Sequence, residues 1–504
     1  MLAEVPSATV VGVDGHRVAV EVHVTRGLPC FSVVGLPDVS CREARDRVRA
    51  ALVSSGFEWP MQRITVNLAP GGVPKTGSGL DLPIAVGVLV ASEQLKPEVL
   101  ADRAFVGELG LDGSIRPVSG TVPLVDVLRS YEVVLPAAAR HEAAWAGECR
   151  LRPIASLSSL AGALRGEHDW PSFGSDPGPA APIPTPPDLA DVRGQPTARL
   201  ALEVAAAGAH HLLMIGPPGA GKTMLARRLP GLLPPLGPVE RLEVAKVHSA
   251  AGLGIPAGGG SSPPFRAPHH GASMVSLVGG GSAHVRPGEV SLAHRGVLFL
   301  DEMGEFPARV LDALRQPLEE GAIRVSRARA SVEFPAQVLL VGATNPCPCG
   351  GATGSSGCRC STHARSRYLR RLSGPLLDRF DLRILVDRPP AESVLGGEAE
   401  EATESVAARV AAARRRAAER GVVANRDLGD KGLDEHAPLD AAARRLVVDA
   451  LADGRLSARG ARRVRAVALT LADLVGDEPP LTLDHLASAL ALRVELASMV
   501  EASA

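Results

Sequence analysis

Short apolar runs that end in glycine or polar residues recur through the middle of the chain. Leu212 to Ile215, Val297 to Leu300, Val338 to Ala343 and Leu382 to Val386 are four such runs. Short, largely apolar runs of about four to eight residues are typical of buried strands. The pattern therefore predicts a central core that contains four buried strands.

A different periodicity precedes this core. Arg17 to Val24 alternates apolar and polar residues as a strand does, Arg42 to Ser54 has helical spacing, and Arg63 to Leu68 again predicts a strand. Leu82 to Ser92 is largely apolar and predicts a buried helix. These elements predict a mixed α+β domain over residues 1–168.

Composition marks two boundaries along the chain. Residues 169–187 are dense in proline and lack apolar periodicity, which is typical of an extended linker. After Pro390 the sequence becomes rich in Ala, Arg and Glu with helical spacing. We therefore expect the central core over residues 188–390 and a helical C-terminal domain over residues 391–504.

Charge and apolar content limit the partners and the location of the protein. Of 504 residues, 45% are hydrophobic, which suffices for several cores. Lys and Arg total 54 against 55 Asp and Glu, a net charge of −1, so DNA contact requires a local basic patch. The sequence begins without a secretion signal and contains no run of about 18 apolar residues. This predicts a cytoplasmic protein with no membrane partner.

The strongest chemical signal follows the first apolar run of the core. Residues 216–223 fit the phosphate-loop pattern G-x-x-x-x-G-K-[ST] at every fixed position, and helical spacing follows. Such a loop surrounds a triphosphate with backbone N–H groups at a helix N-terminus. Lys222 is expected on the β and γ phosphates, and Thr223 on Mg²⁺. The residues assigned to ATP are Gly216, Pro217, Pro218, Gly219, Ala220, Gly221, Lys222 and Thr223.

Polar residues follow two further strands. Asp301 and Glu302 end the run from Val297, and we expect Asp301 to hold Mg²⁺ and Glu302 to polarise the attacking water. Asn345 follows the next strand and is the candidate for sensing the γ-phosphate. An Asn in this position is also typical of a cap or turn.

Two arginines that lie far along the chain from the phosphate loop are candidates for nucleotide contact. Arg379 lies in a loop before the last strand, where a planar, permanent charge suits a finger that reaches the γ-phosphate of a neighbouring subunit. An ion pair with Asp378 or Asp381 is the alternative. Arg459 opens a helix and shares a face with residue 463, and this face could close over the nucleotide.

The cysteines predict either reduced thiols or a metal site. Their number, seven, is odd, and no secretion signal accompanies them. Cys347, Cys349, Cys358 and Cys360 form two C-x-C pairs joined by a Gly- and Ser-rich connector. Four thiols that converge in this way can bind Zn²⁺ tetrahedrally. Four reduced cysteines in a loop are the alternative.

Two segments are candidates for DNA contact. Residues 321–334 alternate on both sides of a short turn, which predicts a hairpin. In a ring, its arginines could follow phosphates without reading bases, although arginines that only solubilise the tip give the same pattern. Residues 258–291 are rich in Gly, His and Ser and are a candidate insertion loop. The candidate DNA contacts are Arg324, Arg327, Arg329, Phe265, Arg266, His269 and His270.

Taken together, these motifs resemble the YifB/ComM family of magnesium-chelatase-like AAA+ ATPases. The segments that carry the resemblance are Val192–Gln195, Gly216–Thr223, Phe265–His270, Arg286–Glu289, Phe299–Glu302 and Asn345–Gly350. The order of residues 74–83 and 107–113 in the front domain also resembles Lon-type proteases.

The resemblance implies an α/β fold with an AAA+ P-loop core made of a parallel sheet with helices. It also implies a Lon-protease-like α+β N-terminal domain and an α-helical C-terminal lid. It implies a homo-hexamer that hydrolyses ATP with Mg²⁺ between subunits. For ComM-type members it implies a helicase that drives branch migration of forked or branched DNA during natural transformation. The implied site residues are Lys222, Asp301, Glu302, Asn345, Arg379 as finger and Arg459 as second sensor, with Val192, Gly194 and Gln195 at the adenine.

Other functions fit the same motifs. A magnesium-chelatase-like ATPase that remodels a partner protein shares the core, as does a regulatory ATPase that does not translocate DNA. In the front domain, Gly79 and Val122 occupy the serine and lysine positions of Lon-type proteases, so we expect no proteolysis. Ser78 with Lys75 is an alternative pair, but their position near glycines favours a turn.

Overall fold

The computed structural model describes residues 1–171, 186–255, 261–281, 285–327, 330–350, 358, 360–369, 372, 374–390, 392–393 and 400–494. Most of the predicted linker therefore lies outside the described residues. None of the helices in these ranges combines the length and the apolar composition needed to cross a bilayer.

The front domain mixes strands and helices, as its periodicity predicts. Its strands are β1 (Leu2–Val11), β2 (Asp14–Thr25), β3 (Cys30–Val34), β4 (Arg63–Ala69), β5 (Arg103–Phe105), β6 (Glu108–Leu109), β7 (Ile115–Arg116), β8 (Glu132–Pro136) and β9 (Arg150–Ile154). Its helices are α1 (Val39–Ser54), α2 (Asp81–Ala91), α3 (Thr121–Val127), α4 (Arg140–Ala143) and α5 (Leu157–Arg165).

Two sheets organise the front domain. One has the order β1-β2-β4-β3, in which only β3 and β4 run parallel, and the other is the parallel sheet β5-β8-β9. The alternation along β2 puts Val18, Val20 and Val22 inside, and every residue of α2 is buried. The predicted buried helix is thus confirmed, and it forms the centre of this domain.

The middle of the chain alternates strands with short helices. Its strands are β10 (Leu212–Ile215), β11 (Phe265–Arg266), β12 (Val297–Leu300), β13 (Ala322–Arg327), β14 (Ala330–Pro335), β15 (Leu339–Thr344) and β16 (Leu382–Leu385). Its helices are α6 (Pro196–Gly208), α7 (Lys222–Ala226), α8 (Leu229–Leu232), α9 (Pro238–Ala250), α10 (Met274–Val278), α11 (Glu289–Leu292), α12 (Ala308–Asp312), α13 (Arg315–Glu320), α14 (Thr362–Leu369) and α15 (Gly374–Leu377).

A parallel sheet with the order β11-β12-β15-β10-β16 forms the centre of this core. All residues of β10, β12 and β15 are buried, which confirms the prediction from their continuous apolar runs. Because parallel strands all end at the same edge, the residues that follow β10, β12 and β15 lie close together. This edge is where the sequence places its phosphate loop and acidic pair.

The C-terminal region is helical, as predicted. Its helices are α16 (Thr403–Glu419), α17 (Asp430–His436), α18 (Ala441–Ala452), α19 (Ala458–Val475) and α20 (Leu483–Ala491). Residues of α16 and α19 join α6 and β10 in one apolar cluster, so this region packs directly on the core. Ser457 caps α19 by accepting the Gly460 N–H at 3.1 Å, which confirms that the helix begins just before Arg459.

The front domain is held on the core by α9. The backbone carbonyl of Ser249 accepts the Gly120 N–H at 2.9 Å, and its hydroxyl accepts the Val122 N–H at 3.0 Å. Lys246 and Asp126 form an ion pair at 2.5 Å. Val122, which we align with the lysine position of Lon-type proteases, is fully buried at this contact.

The alternative Ser–Lys pair is not assembled in the front domain. The Ser78 hydroxyl donates to the Glu108 carboxylate, and the Lys75 amine donates to the Pro70 carbonyl. Lys75 is also fully buried. The two side chains thus have separate partners, as expected for residues that shape a turn.

A second contact joins the β1–β2 turn to the β13–β14 hairpin. Val13 is 6% exposed and belongs to the same apolar cluster as Ile323, Val332 and Phe334. Such a contact between a domain and a hairpin depends on apolar burial. It makes Val13 a point at which the docking of the front domain can be tested.

We expect Val13→Asp to weaken this docking by roughly 3 kcal/mol, because it buries an unpaired carboxylate. Limited proteolysis should then release a front-domain fragment several times faster than from the wild type. Val34→Asp is the matched control, since Val34 lies in the same domain and is 47% exposed. Equal digestion rates for the two variants would contradict the contact.

Candidate nucleotide-binding site

The phosphate loop connects β10 to α7. Gly219 and Gly221 have φ angles of +76° and +86°, which glycine adopts without strain, and α7 begins at Lys222. The Gly216 N–H donates to the carbonyl of Thr344 at 3.1 Å and ties the loop to the end of β15. The loop therefore has the strand-loop-helix geometry that the motif predicts.

Lys222 lies inside the loop and is only 8% exposed. Its ammonium donates to the carbonyls of Gly216 at 2.6 Å and Pro217 at 2.9 Å, and to Asn345 Oδ1 at 3.3 Å. Burial lowers the pKa of Lys222, whereas the negative charges of Asp301 and Glu302 act to raise it. The ammonium thus occupies the position from which it can bind phosphate oxygens, next to the proposed sensor amide.

Thr223 and Asp301 meet across the same edge. The Thr223 hydroxyl donates to Asp301 Oδ2 at 2.6 Å, and Asp301 Oδ1 accepts the Glu302 N–H at 2.9 Å. A hydroxyl and a carboxylate oxygen are ligands that Mg²⁺ prefers, and two oxygens this close can share one ion. The residues present therefore fit the Mg²⁺ site expected from the sequence.

Glu302 has a partner that the sequence did not predict. Its backbone is left-handed, with φ +48°, and its side chain is 55% exposed. His270 Nδ1 lies 3.1 Å from Glu302 Oε2, and the His269 ring lies against that of His270 with centroids 4.0 Å apart. The sequence predicts that His270 contacts DNA, whereas in the structure it contacts the acidic residue next to the expected Mg²⁺ site. The His-His pair was visible in the sequence, but its partner was not.

The residues expected at the adenine flank the phosphate loop. Val192 is fully buried, and the Gly194 N–H donates to Glu400 Oε1 at 3.4 Å. The Gln195 amide donates to the carbonyls of Ala220 at 2.8 Å and Asp387 at 3.1 Å. Gln195 Oε1 is buried without a hydrogen-bond partner among the described residues. An acceptor held in this way beside the loop is suited to a polar group of a base.

Arg379 and Arg459 lie together at the opposite edge of the sheet. They line a cavity of about 340 Å³ with Arg426, Arg462 and other residues. The cavity also contains Asp381, which accepts the His211 N–H at 3.0 Å just before β10 begins. The phosphate loop, in contrast, follows the end of β10. The two arginines are therefore brought to each other and not to Lys222.

The ion pairs around this cavity are partly different from those predicted. Arg379 is 6% exposed and its guanidinium donates to Glu319 of α13, not to Asp378 or Asp381. Asp381 instead lies 3.4 Å from the guanidinium nitrogens of both Arg426 and Arg463. Burial acts to raise the pKa of Asp381, but His210 and Arg426 outweigh it and hold this pKa well below its usual range.

The four clustered cysteines converge. The sulfur atoms of Cys347, Cys349, Cys358 and Cys360 all lie within 4.8 Å of one another. Cys347 Sγ is 3.3 Å from Cys349 Sγ and 3.5 Å from Cys358 Sγ. With zinc–sulfur bonds of about 2.3 Å, a tetrahedral site requires sulfur atoms a little under about 4 Å apart. The geometry thus fits the tetrahedral site that the spacing predicts.

Some of the candidate DNA contacts are paired with other residues of the chain, and others lie outside the described residues. The β13–β14 hairpin is present, but Arg324 is paired with Glu333 at 2.9 Å. Arg329 and the side chain of Arg327 lie outside the described residues. In the insertion segment, Phe265 stacks on Phe299 and Arg266 forms two hydrogen bonds, of 2.7 and 2.8 Å, with Glu289. Phe265 and Arg266 therefore stabilise the core through contacts with neighbouring residues.

Comparison with known proteins is consistent with this architecture along nearly the whole chain. Residues 188–394 match the family described as magnesium chelatase, subunit ChlI, residues 20–138 match subunit ChlI of Mg-chelatase, and residues 400–493 match the ChlI C-terminal family. The competence protein ComM of Haemophilus influenzae is 42% identical, with 98% of this chain and 97% of that protein covered. The chain belongs to the YifB/ComM family. It is a magnesium-chelatase-like AAA+ ATPase.

Two further relatives of this YifB/ComM protein are similar over nearly their full lengths. YifB of Escherichia coli, whose function is uncharacterised, is 41% identical over 98% of this chain and 97% of that protein. An uncharacterised protein of Mycobacterium tuberculosis is 45% identical over 97% of each chain. The predicted family and the predicted fold, including the Lon-like front domain and the helical C-terminal region, are confirmed.

Proposed function

We propose that this protein is a cytoplasmic, hexameric ATP-driven motor that acts on DNA, with ComM-like branch migration in recombination during natural transformation as its task. The observation that carries the ATP-dependent part is the convergence of Lys222, Thr223, Asp301 and Asn345 at one edge of the sheet. Full-length similarity to a protein named for competence supports the DNA-directed part.

In this proposal the phosphates of ATP replace the carbonyls that Lys222 now contacts. Thr223 and Asp301 hold Mg²⁺, which neutralises charge on the phosphate oxygens when it is bound. Asn345 contacts the γ-phosphate, and Glu302 polarises the attacking water once it turns away from His270. Gln195, with Val192 and Gly194, binds the adenine.

The position of the two arginines supports a ring. Arg379 and Arg459 lie at the edge of the sheet opposite to their own phosphate loop. A head-to-tail ring brings this edge of one subunit to the nucleotide of the next. Arg379 then acts as the finger and Arg459 as the second sensor, and the Glu319 contact must open for Arg379 to reach the γ-phosphate.

For DNA contact we propose the tip of the β13–β14 hairpin, facing the pore. The double change Arg327→Ala with Arg329→Ala should weaken binding of forked DNA about tenfold and flatten its salt dependence, because phosphate contacts are lost. Fluorescence anisotropy over a series of salt concentrations measures both effects. Arg49→Ala, an exposed arginine of α1, is the control. An unchanged salt slope would remove the hairpin from the DNA path.

We further propose that Cys347, Cys349, Cys358 and Cys360 bind one structural zinc ion. The distances among their sulfur atoms support this. Elemental analysis of purified protein without a metal-binding tag should find about one equivalent.

The motor function is tested by measuring ATP turnover with and without forked or four-way-junction DNA, together with junction migration. We expect the junction to stimulate turnover and to migrate with ATP. A magnesium-chelatase-like ATPase that remodels a partner protein is the second candidate, favoured by the ChlI family match. It predicts turnover that no DNA stimulates, as does a regulatory ATPase. Turnover that DNA does not stimulate, together with a junction that does not migrate, would reject the DNA motor and leave the ATPase assignment intact.

A further inference from the structure

Two of the four proposed zinc ligands lie on the short segment that contacts the phosphate loop. Cys347 and Cys349 lie two and four residues after Asn345. The Gly350 N–H closes a turn by donating to the Cys347 carbonyl at 3.0 Å. Cys347 is 2% exposed, so the turn is anchored inside the core. The residues from Asn345 to Gly350 thus form one compact unit, called the cysteine turn below.

The cysteine turn contacts the phosphate loop at two points. At one end, Asn345 Oδ1 accepts from the Lys222 ammonium at 3.3 Å. At the other end, Gly350 abuts Pro218, since a Cβ atom on Gly350 would lie 2.7 Å from Pro218 Cγ and 2.8 Å from Cδ. Gly350 also has a φ angle of +69°, so a larger residue is strained there as well as crowded. Both ends of the turn are therefore fixed against the residues that surround the triphosphate.

The other two ligands come from a different part of the chain. Cys358 and Cys360 lie beyond the turn, and Cys358 Sγ is 3.5 Å from both Cys347 Sγ and Cys349 Sγ. An ion bound by all four sulfur atoms joins the turn to this second segment and restricts its movement. Sulfur–sulfur contacts between thiols are weak in comparison with four zinc–sulfur bonds, so the ion is the stronger link between the two segments.

We propose that the zinc ion fixes the cysteine turn and, through Gly350 and Asn345, holds the phosphate loop in the conformation that binds ATP. This inference rests on the zinc site proposed above but not on any action on DNA. Zinc loading becomes a condition for nucleotide affinity, because a mobile turn lets Pro218 and Lys222 leave their positions. The coupling acts within one subunit and needs no ring.

The test measures zinc content and the Kd of a fluorescent ATP analogue with Mg²⁺ for four variants of the full chain. Gly350→Ala should keep the zinc and weaken binding about tenfold, because it displaces Pro218. Cys358→Ser should lose the zinc and weaken binding by a similar factor. Gly454→Ala is the matched control, since Gly454 has a φ angle of +71° and its Cβ would meet nothing within 4 Å. It should change neither quantity.

The double variant Gly350→Ala with Cys358→Ser decides whether the two effects share one route. If zinc acts through the turn, the double variant should bind no more weakly than the worse single variant, since coupled residues are not additive. Additive losses would overturn the inference, as would well under one equivalent of zinc in the wild type or a Kd within twofold for Gly350→Ala.

Removing zinc from the wild-type protein with a chelator provides a second measurement that does not depend on the folding of a cysteine variant. Circular dichroism should be nearly unchanged while the ATP analogue binds about tenfold more weakly, and added Zn²⁺ should restore binding. Unchanged affinity after zinc removal would overturn the inference. Because no DNA is present, failure of the DNA-motor proposal leaves this result interpretable on its own.

Discussion

Lys222→Ala should lower ATP turnover by at least about 10²-fold, which corresponds to about 3 kcal/mol of lost transition-state stabilisation. The Lys222 ammonium is the cation at the centre of the phosphate loop, within 3.3 Å of Asn345 Oδ1. Alanine leaves the loop backbone free to bind nucleotide weakly but removes the charge that neutralises the β and γ phosphates. Steady-state phosphate release measures the effect.

Lys431→Ala is the control for this experiment, because Lys431 is an exposed lysine of the C-terminal region. It should keep wild-type turnover. Retained turnover in Lys222→Ala would show that hydrolysis occurs elsewhere, and the assignment of residues 216–223 to ATP would be wrong.

The nucleotide site could be predicted from the sequence because each strand that leads to it is marked by a local apolar run. The runs before Gly216, Asp301 and Asn345 each predict a buried strand, and parallel strands end at a shared edge. Contacts such as Thr223 to Asp301 follow from that topology. The hairpin and the start of the helix at Ser457 were likewise predictable, because alternation and capping are local signals.

Several contacts could not be predicted from the sequence. Each involves a loop, and the periodicity of a sequence does not determine the path of a loop. His270 meets Glu302 from an irregular segment, and Glu319 meets Arg379 from a helix some way earlier in the chain. Gly350 lies against Pro218 between two loops. Each contact depends on how the loops cross the edge of the sheet. From residue type alone, several acidic residues or loops were equally possible partners.

The cavity with Arg379 and Arg459 combines a prediction from the sequence with an observation from the structure. The sequence suggested that each arginine reaches a nucleotide, and the structure adds that both lie at the edge away from their own phosphate loop. Several like charges around Asp381 are costly unless anions accompany them. In the proposed ring, a neighbouring subunit's phosphates would supply such anions. The cavity therefore supports the proposal that hydrolysis requires assembly.

Arg379→Ala should accordingly lower turnover about 10³-fold, because an arginine that stabilises the transferred phosphoryl group contributes on this scale. Binding of the ATP analogue to the isolated subunit should change little, since in the proposed ring the finger belongs to another subunit's site. Arg42→Ala, an exposed arginine at the start of α1, is the control and should keep its turnover.

Mixing two inactive variants distinguishes a finger acting between subunits from one acting within its own. Lys222→Ala keeps its finger and Arg379→Ala keeps its phosphate loop, so an interface with one of each in the right order is complete. Random mixing in a head-to-tail ring makes about a quarter of the interfaces complete, and turnover should recover to that order. If Arg379 acted within its own subunit, every mixture would stay inactive. Recovery that rises with the mixing ratio and peaks near equal amounts would therefore assign the finger to the neighbour.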